Sequence, residues 1–505
     1  MSGNLFAAFA ERFDRWGDKD AVITDSGTRL SFAELDQHSA RIAGALTRLG
    51  VVKGDRVTAQ VHKSPEALCL YLACLRAGAV FHPLNTGYQP AELAYFVGNA
   101  EPKVIVTDPA SLDLFCGLPG SPQAVLTLDR SGLGTLSDAA ADHADTFRNV
   151  SCNADDSAAL LYSSGTTGQP KGIGLSHGNL LSNAQVLTDW WQFSERDVLL
   201  HALPIFHVHG LFVAVGCALL SGASMRWQAG FSVDAVIDAL PDCSVMMGVP
   251  TYYTRLLASP RFTREVSADR RLYISGSAPL LAETFEAFEA QTGHRIVERY
   301  GLTETVINTS SPLDGDRKAG TVGVPLPGVE LRVVDDAGHS LGPGETGQIE
   351  VRGPNVFRGY WRMPDKTRED FTGDGFFRTG DNGEWDNDGY LAIVGRAKDM
   401  VISGGLNVYP REVELLLDGL EGVAESAVIG VPHPDFGEAV VAVIVPQEGA
   451  TLDEEVLRDA LKPLIAAFKV PKRITTLGEL PRNTMGKVQK NQLRDQYRGL
   501  FEAGA

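Results

Sequence analysis

Apolar positions along the first three hundred residues follow two periods. Leu5, Phe6, Phe9, Phe13 and Trp16 recur at helical spacing with Glu11, Arg12, Asp14 and Arg15 between them, which predicts an amphipathic helix facing a core. Helical patterns over Phe32 to Leu49 and Pro65 to Arg76 then alternate with short β-branched runs, Val57 to Ala59 and Val104 to Thr107. That alternation predicts an α/β fold of mostly parallel strands with crossover helices, and such sheets take ligands beyond the carboxyl ends of their strands. From about Thr321 the pattern shortens to Gly- and Val-rich segments such as Val329 to Val334 and Gly347 to Arg352. Turn residues at Asp335-Asp336 and Gly342-Pro343-Gly344 separate them, so a smaller β-rich unit is expected. Beyond Gly395 to Asp399, Pro410 opens a helix over Glu412 to Leu417, Ala424 to Val431 and Ala439 to Val445 read as strands, and Glu454 to Leu464 as a helix. The expected division is a large N-terminal domain over 1–396, with the β-rich subdomain from about 321, and a small α+β C-terminal domain over 397–505, residues 396–399 being the linker.

With 505 residues, 44% of them hydrophobic and 21% charged, the chain is long enough for several cores and has the make-up of an ordinary soluble protein. It holds no run approaching the ~18 apolar residues that cross a bilayer, and the charges within the N-terminal pattern speak for a core-facing helix and against a signal peptide. The expectation is a cytoplasmic protein with no membrane partner. A net charge of −18 argues against nucleic acid, whose phosphates are held by dense Lys and Arg surfaces. Cys69, Cys74, Cys116, Cys152, Cys217 and Cys243 lack CxxC or metal-ligand spacing, which reads as reduced core residues. Monomer and homodimer both stay open.

The run Leu161 to Gly172 carries the first chemistry. An apolar strand over Ala158 to Tyr162 stops in a loop, Ser163, Ser164, Gly165, Thr166, Thr167, Gly168, Gln169 and Pro170, that ends at Lys171. Glycines that let backbone N–H groups turn inward, four hydroxyl donors and an ammonium make a phosphate cradle, although the same composition also marks a surface turn. A Walker A loop ends in Gly-Lys-Ser/Thr, whereas Lys171 is followed by Gly172, which disfavours a P-loop NTPase. Ser176 next reads as the cap of a helix running through Leu180 to Trp191.

Five separated motifs follow one another: Tyr162 to Gly172, Tyr300 to Glu304, Phe377 to Asp381, Gly395 to Asp399 and Pro481 to Lys487. In residues and order they resemble those of the acyl-adenylate-forming superfamily of acyl-CoA synthetases and luciferases, and the likeness runs from end to end. The resemblance implies an enzyme in which a carboxylate attacks the α-phosphate of ATP, giving an acyl-AMP and pyrophosphate, after which the thiol of CoA displaces AMP. It implies that Ser163, Ser164, Gly165, Thr166, Thr167, Gly168 and Lys171 hold the β- and γ-phosphates, that Glu304 with Thr166 holds Mg²⁺, and that Thr303 supports the α-phosphate. Tyr300 would stack on adenine and Asp381 would accept both ribose hydroxyls with Arg396 nearby; Ser277, Ala278, Pro279, Glu298, Arg299 and Gly301 join the implied cofactor positions. Lys487 is the expected catalytic residue, bridging the attacking carboxylate and the α-phosphate. Its other reading, as one more solvated cation beside Lys490 and Arg494, is weakened by the turn-forming Gly486. The small domain is implied to be mobile, turning about Lys398 so that Ser403, Gly404 and Gly405 join the channel for the thiol.

Within the superfamily, the segments Ile205 to Gly210, Gly248 to Arg255, Ser275 to Pro279, Glu298 to Gly301 and Asn308 to Ser310 resemble malonyl-CoA synthetases in particular. Arg255 and Arg299 fall in segments expected to line the acid pocket, and Ser277 adds a hydroxyl. A guanidinium grips a carboxylate through two parallel hydrogen bonds, so the substrate is expected to be a small dicarboxylic acid, malonate first and methylmalonate second. His207 matches a position shared by the acid pocket and the thiol channel, and Ile307, with Val208, lies where side-chain volume would set tolerance for a methyl branch. Other readings stand beside these: Arg255 as a helix-surface arginine next to Tyr252, Tyr253, Leu256 and Leu257, and His207 or His209 as core histidines. A short-chain monocarboxylate ligase and a free-standing adenylation enzyme loading a carrier protein share the same chemistry. A non-catalytic nucleotide binder is disfavoured by Lys171, Glu304, Asp381 and Lys487 occurring together.

Overall fold

The computed structural model describes residues 3–164, 170–278, 280, 282–396, 400–447, 449–482 and 488–501. Of the expected site, Gly165, Thr166, Thr167, Gly168, Pro279, Lys398 and Lys487 lie outside the described residues, as do the side chains of Ser164 and Arg396.

Local chemistry places the helix ends. Ser31 caps Phe32–Arg48 in a capping box with Glu34. Ser64 caps Pro65–Ala77, which carries Pro65 in its first turn and ends at Gly78 with φ +67°. That helix is buried along its length except at Glu66, and Arg76 within it is satisfied by the Asp36 carboxylate at 2.8 Å.

The β-branched runs assemble two sheets. The first has six strands in the order Ala124–Thr127, Val104–Thr107, Arg56–Gln60, Val80–Pro83, Ser157–Ser164 and Pro170–Ser176, parallel except for the last pair. The second has nine, ordered Val324–Pro325, Thr309–Ser310, Val297–Tyr300, Leu272–Ser275, Val245–Gly248, Val198–His201, Ser224–Trp227, Asp20–Thr24 and Arg29–Ser31. It is parallel from Val297–Tyr300 through Asp20–Thr24 and antiparallel at both edges. One apolar core joins the two sheets to the buried helices, with Leu68, Val106 and Leu161 on one side and Met225, Val245 and Ile274 on the other. The segments that leave the carboxyl ends of Val198–His201, Leu272–Ser275 and Val297–Tyr300 are those that hold His207, Ser277 and Thr303, as open parallel sheets direct.

Glu330–Val334, Gly347–Arg352, Phe377–Trp385 and Leu391–Arg396 form the smaller sheet, antiparallel throughout. From Val401 the chain builds a further sheet around the long hairpin Val423–His433 and Gly437–Pro446. Val428, Val440 and Ala442 face one apolar cluster and Ala427, Ile429 and Val441 another, the period-two signature of strands covered on both faces. No helix among the described residues is long and apolar enough to cross a membrane.

The expected strand over Ala158 to Tyr162 stands, but the expected loop over Ser163 to Lys171 is corrected at both ends. Two antiparallel strands stand there, Ser157–Ser164 and Pro170–Ser176, and Lys171 is paired with Ser163 in their ladder. Ile173 and Leu175 alternate with Gly172 and Gly174 and are fully buried, so burial of that face draws the return segment into the sheet before the helix begins. The helix is His177–Trp190, and Ser176 caps it: its hydroxyl accepts from the Asn179 N–H at 3.1 Å while the Asn179 side chain accepts from the Ser176 N–H at 3.0 Å. Ser176→Ala should lower stability by about 1 kcal/mol, read as a reduced urea midpoint at unchanged slope.

Candidate active site

Three cavities meet where the strand ends face the unit that begins at 400. The largest, about 430 Å³, is lined by Ser277, Ala278, Glu298, Arg299, Tyr300, Gly301, Thr303 and Asp381, and from the C-terminal unit by Met400, Ile402, Asn407, Glu438 and Arg494. A second, about 280 Å³, lies between Phe206, His209, Val249 and Tyr252 on one side and Gly404, Gly405 and Leu406 on the other. A third, about 80 Å³, touches Tyr162, Ser163, Pro170, Thr303 and Asn407. His207 lines all three, and Thr303 joins the first to the third. Ser403 is buried in the strand before the turn; Gly404 and Gly405, at φ +60° and +81°, form the wall.

Tyr300 ends a strand of the nine-stranded sheet and Asp381 lies in the antiparallel sheet; the tyrosine hydroxyl donates to Asp381 Oδ2 at 2.7 Å, with both residues buried. Gly301 must be glycine, because a Cβ there would stand 1.8 Å from the Val306 carbonyl oxygen. The tight return brings the Asn308 N–H onto the Tyr300 carbonyl at 2.8 Å and leaves Thr303 at the cavity. On the other side of Thr303, Lys171 is buried with its ammonium 4.5 Å from the Tyr360 ring centroid and 3.5 Å from Asp370 Oδ2. The Tyr360 hydroxyl donates to Asp370 at 3.2 Å and toward Glu304 at 3.5 Å, so one tyrosine links Lys171, Asp370 and Glu304.

The remaining wall is cationic and buried. Arg299 is buried, and its contact among the described residues is the Ser277 hydroxyl, 3.4 Å from Nη2; its Nε meets no acceptor. Burial pulls this guanidinium down to about 9, an effect that the neighbouring Tyr253 opposes. Gly276 makes room for it, since a Cβ there would lie 2.2 Å from Arg299 Cζ. Ser277 takes φ +70°, a left-handed conformation costly for a serine. Burial, with the Arg299 charge adding to it, pushes His207 down to about 4 and His209 well below its ordinary value. Both imidazoles are therefore neutral at pH 7. The His209 backbone N–H donates to His207 Nδ1 at 3.3 Å, which puts the His207 proton on Nε2. Burial also pushes the Glu298 carboxyl up to about 8, and its Oε1 has no hydrogen-bond partner among the described residues.

Two expected pocket residues sit elsewhere. Arg255 does not line the cavity with Arg299: its helix turns Tyr253 and Leu256 inward, and the half-exposed guanidinium is bidentate with Asp435 of the C-terminal unit, at 2.7 Å and 2.7 Å. Ile307 is a core residue, 1% exposed, whose carbonyl accepts from Asn183; Val306, at φ +55°, takes the place at the cavity. Tyr360 and Asp370 escaped the sequence reading because nothing in their spacing ties them to Lys171, and Asn407 was within reach of it only through its closeness to Gly404-Gly405.

Residues 9–361 match the family described as AMP-binding enzyme, and residues 412–487 match the AMP-binding enzyme C-terminal domain. Malonate–CoA ligase of Arabidopsis thaliana is 34% identical over 98% of this chain and 89% of its own length. Indoleacetate–CoA ligase of Aromatoleum aromaticum is 36% identical over 95% of this chain and 97% of its own. Among solved structures, ATP-bound MatB from Rhodopseudomonas palustris superposes with a TM-score of 0.78 at 52% identity, covering 99% of this chain and all of that one. The chain belongs to the AMP-binding enzymes, the acyl-adenylate-forming superfamily. More particularly, it is an AMP-forming acid–CoA ligase, with ATP and CoA as substrates.

A carboxyl whose folded pKa lies above its ordinary value of 4.5 keeps an extra proton in the folded state up to about 8. Its contribution to stability is therefore present at low pH and is lost as pH rises through that window. Glu298→Gln should melt higher than the parent at pH 8.5, with the gap closing toward pH 5; thermal unfolding of the ligand-free protein across that range is the check, and a pH-independent gap would refute the assignment.

Proposed function

We propose that this enzyme is a malonyl-CoA synthetase, converting malonate, ATP and CoA to malonyl-CoA, AMP and pyrophosphate through malonyl-AMP, with methylmalonate as a second substrate. The observation that carries the reading is Arg299: a buried guanidinium at the wall of the cavity, facing a hydroxyl and no carboxylate among the described residues. Burying such a charge unpaired is costly, and an acid that brings a second carboxylate supplies the missing partner through a bidentate pair. Indoleacetate or another aryl acid would leave that charge uncompensated and would need an apolar pocket in its place. The malonate–CoA ligase relative supports the reading, while the comparable identity to the indoleacetate ligase leaves the decision to the cavity.

In this reading the division is a large domain over 1–396 and a mobile one over 397–505. The ribose sits at Asp381, with Tyr300 holding that carboxylate in place and offering its ring to adenine. Lys171 meets the outgoing phosphates together with the 163–168 segment. Magnesium is a hard cation that keeps waters and takes one or two carboxylates plus phosphate oxygens, so Glu304, oriented by Tyr360, suits it, Thr166 being the other ligand the resemblance implies; bound there, the ion would neutralise charge on the phosphates. Thr303 and Lys487 would steady the α-phosphate as the acid attacks. The later step needs a channel for the thiol, and the cavity that Gly404 and Gly405 wall against Val249 supports that use. His207, at the meeting point of all three cavities and neutral, would separate acid from thiol without competing with Arg299 for the carboxylate.

Incubation with ATP, Mg²⁺, CoA and a panel of acids, read by AMP release and thioester mass, should show malonate ahead of acetate, octanoate and indoleacetate; preference for a monocarboxylate would sink the reading. Arg299→Ala should cut kcat/KM for malonate by about 100-fold, the ~3 kcal/mol of a hydrogen bond to a charged group, and change acetate turnover far less. Arg255→Ala, whose partner is Asp435, should show no such preference for malonate.

A further inference from the structure

Lys469 is 3% exposed, yet it is ionic on both sides. Its ammonium donates to Glu92 Oε1 at 2.6 Å and to Glu412 Oε1 at 2.7 Å, and it lies 5.2 Å from the Tyr88 ring centroid. Glu92 belongs to Pro90–Ala100 of the large domain and Glu412 to Pro410–Asp418 of the C-terminal unit, so the triad spans the junction. Glu92 divides its two oxygens: Oε2 accepts the Gln89 N–H at 2.9 Å, capping its own helix, and Oε1 is turned to Lys469. Burial opposes charge on the lysine, but Glu412, Tyr88 and Glu92 outweigh it and hold the ammonium above its ordinary pKa. A second ion pair described across the junction, Arg255 with Asp435, is about half exposed on both sides and is screened by solvent. The triad is different, because it is buried and Glu92 loses its cation when the C-terminal unit, which carries both Lys469 and Glu412, withdraws.

The arrangement that brings Lys469 to Glu92 also sets Gly405 against Val249, where an added Cβ would lie 3.0 Å from Val249 Cγ1, and so forms one wall of the 280 Å³ cavity. Ions suit a contact that must form and break. An apolar patch clings in many orientations, whereas Lys469, which carries Glu412 with it in its own unit, gains its second carboxylate only where Glu92 reaches it.

We propose that Lys469, with Glu92 and Glu412, is an ion latch that holds the C-terminal unit in the orientation where Gly404 and Gly405 wall the channel, acting as a positioning device for thiol transfer and not for adenylate formation. The inference rests on the proposed reading that this unit moves between the two half-reactions. It is tested by measuring ATP–pyrophosphate exchange and, separately, single-turnover transfer from preformed acyl-adenylate to CoA. Lys469→Met should slow transfer at least tenfold while exchange stays within twofold. Glu92→Gln, which keeps an acceptor for the helix cap and approaches the triad from the other side, should slow transfer about threefold and add nothing further in the Lys469→Met background. Lys398→Pro serves as the reference. If Lys398→Pro blocks transfer selectively and Lys469→Met slows both half-reactions equally or neither, the latch alone is overturned. If Lys398→Pro is itself unselective, the moving-unit reading fails and the latch fails with it.

Discussion

Arg299 holds a guanidinium in a buried wall with a serine hydroxyl as its contact among the described residues, and much of the site follows from that one charge. Gly276 has no side chain because the guanidinium fills that space, and Ser277 accepts a left-handed backbone beside it. His207 and His209 are pushed to their neutral forms by burial and by the same positive field. A protonated imidazole beside Arg299 would be repelled by that guanidinium, so the neutral imidazoles leave Arg299 as the charge that an anionic acid meets.

Around this charge the fold distributes tasks between two units, each with a core of its own. The parallel strands that end at Ser275, Tyr300 and His201 share one continuous core, which keeps Ser277, Thr303 and His207 at fixed separations. The C-terminal unit has cores of its own on both faces of its sheet, so its integrity does not depend on where it sits. Its contacts with the large domain are ionic at Lys469 and Arg255, and such contacts define an orientation more sharply than they add stability.

Where the sequence reading succeeded, the signal was local. The Ser176 helix cap, proline at the start of Pro410–Asp418, and the strand patterns within Val423–His433 and Gly437–Pro446 are written in neighbouring residues, and the structure follows them closely. Where it missed, the deciding contact joins residues far apart. The return strand Pro170–Ser176 is drawn in by burial of Ile173 and Leu175, Arg255 is claimed by Asp435, and Ile307 is taken into the core while Val306 turns to the cavity.

By itself, then, the sequence determined the fold class, the superfamily and the acid-activating chemistry, because each motif carries its reactive groups within a few residues and the hydrophobic periods dictate the elements that bear them. Only the tertiary structure decided that Arg299 and not Arg255 stands at the cavity, that Tyr360 joins Lys171 to Glu304, and that Lys469 bridges Glu92 and Glu412. These are partnerships across tens to hundreds of residues, set by which surfaces the packed sheets bring together, and no local spacing encodes them.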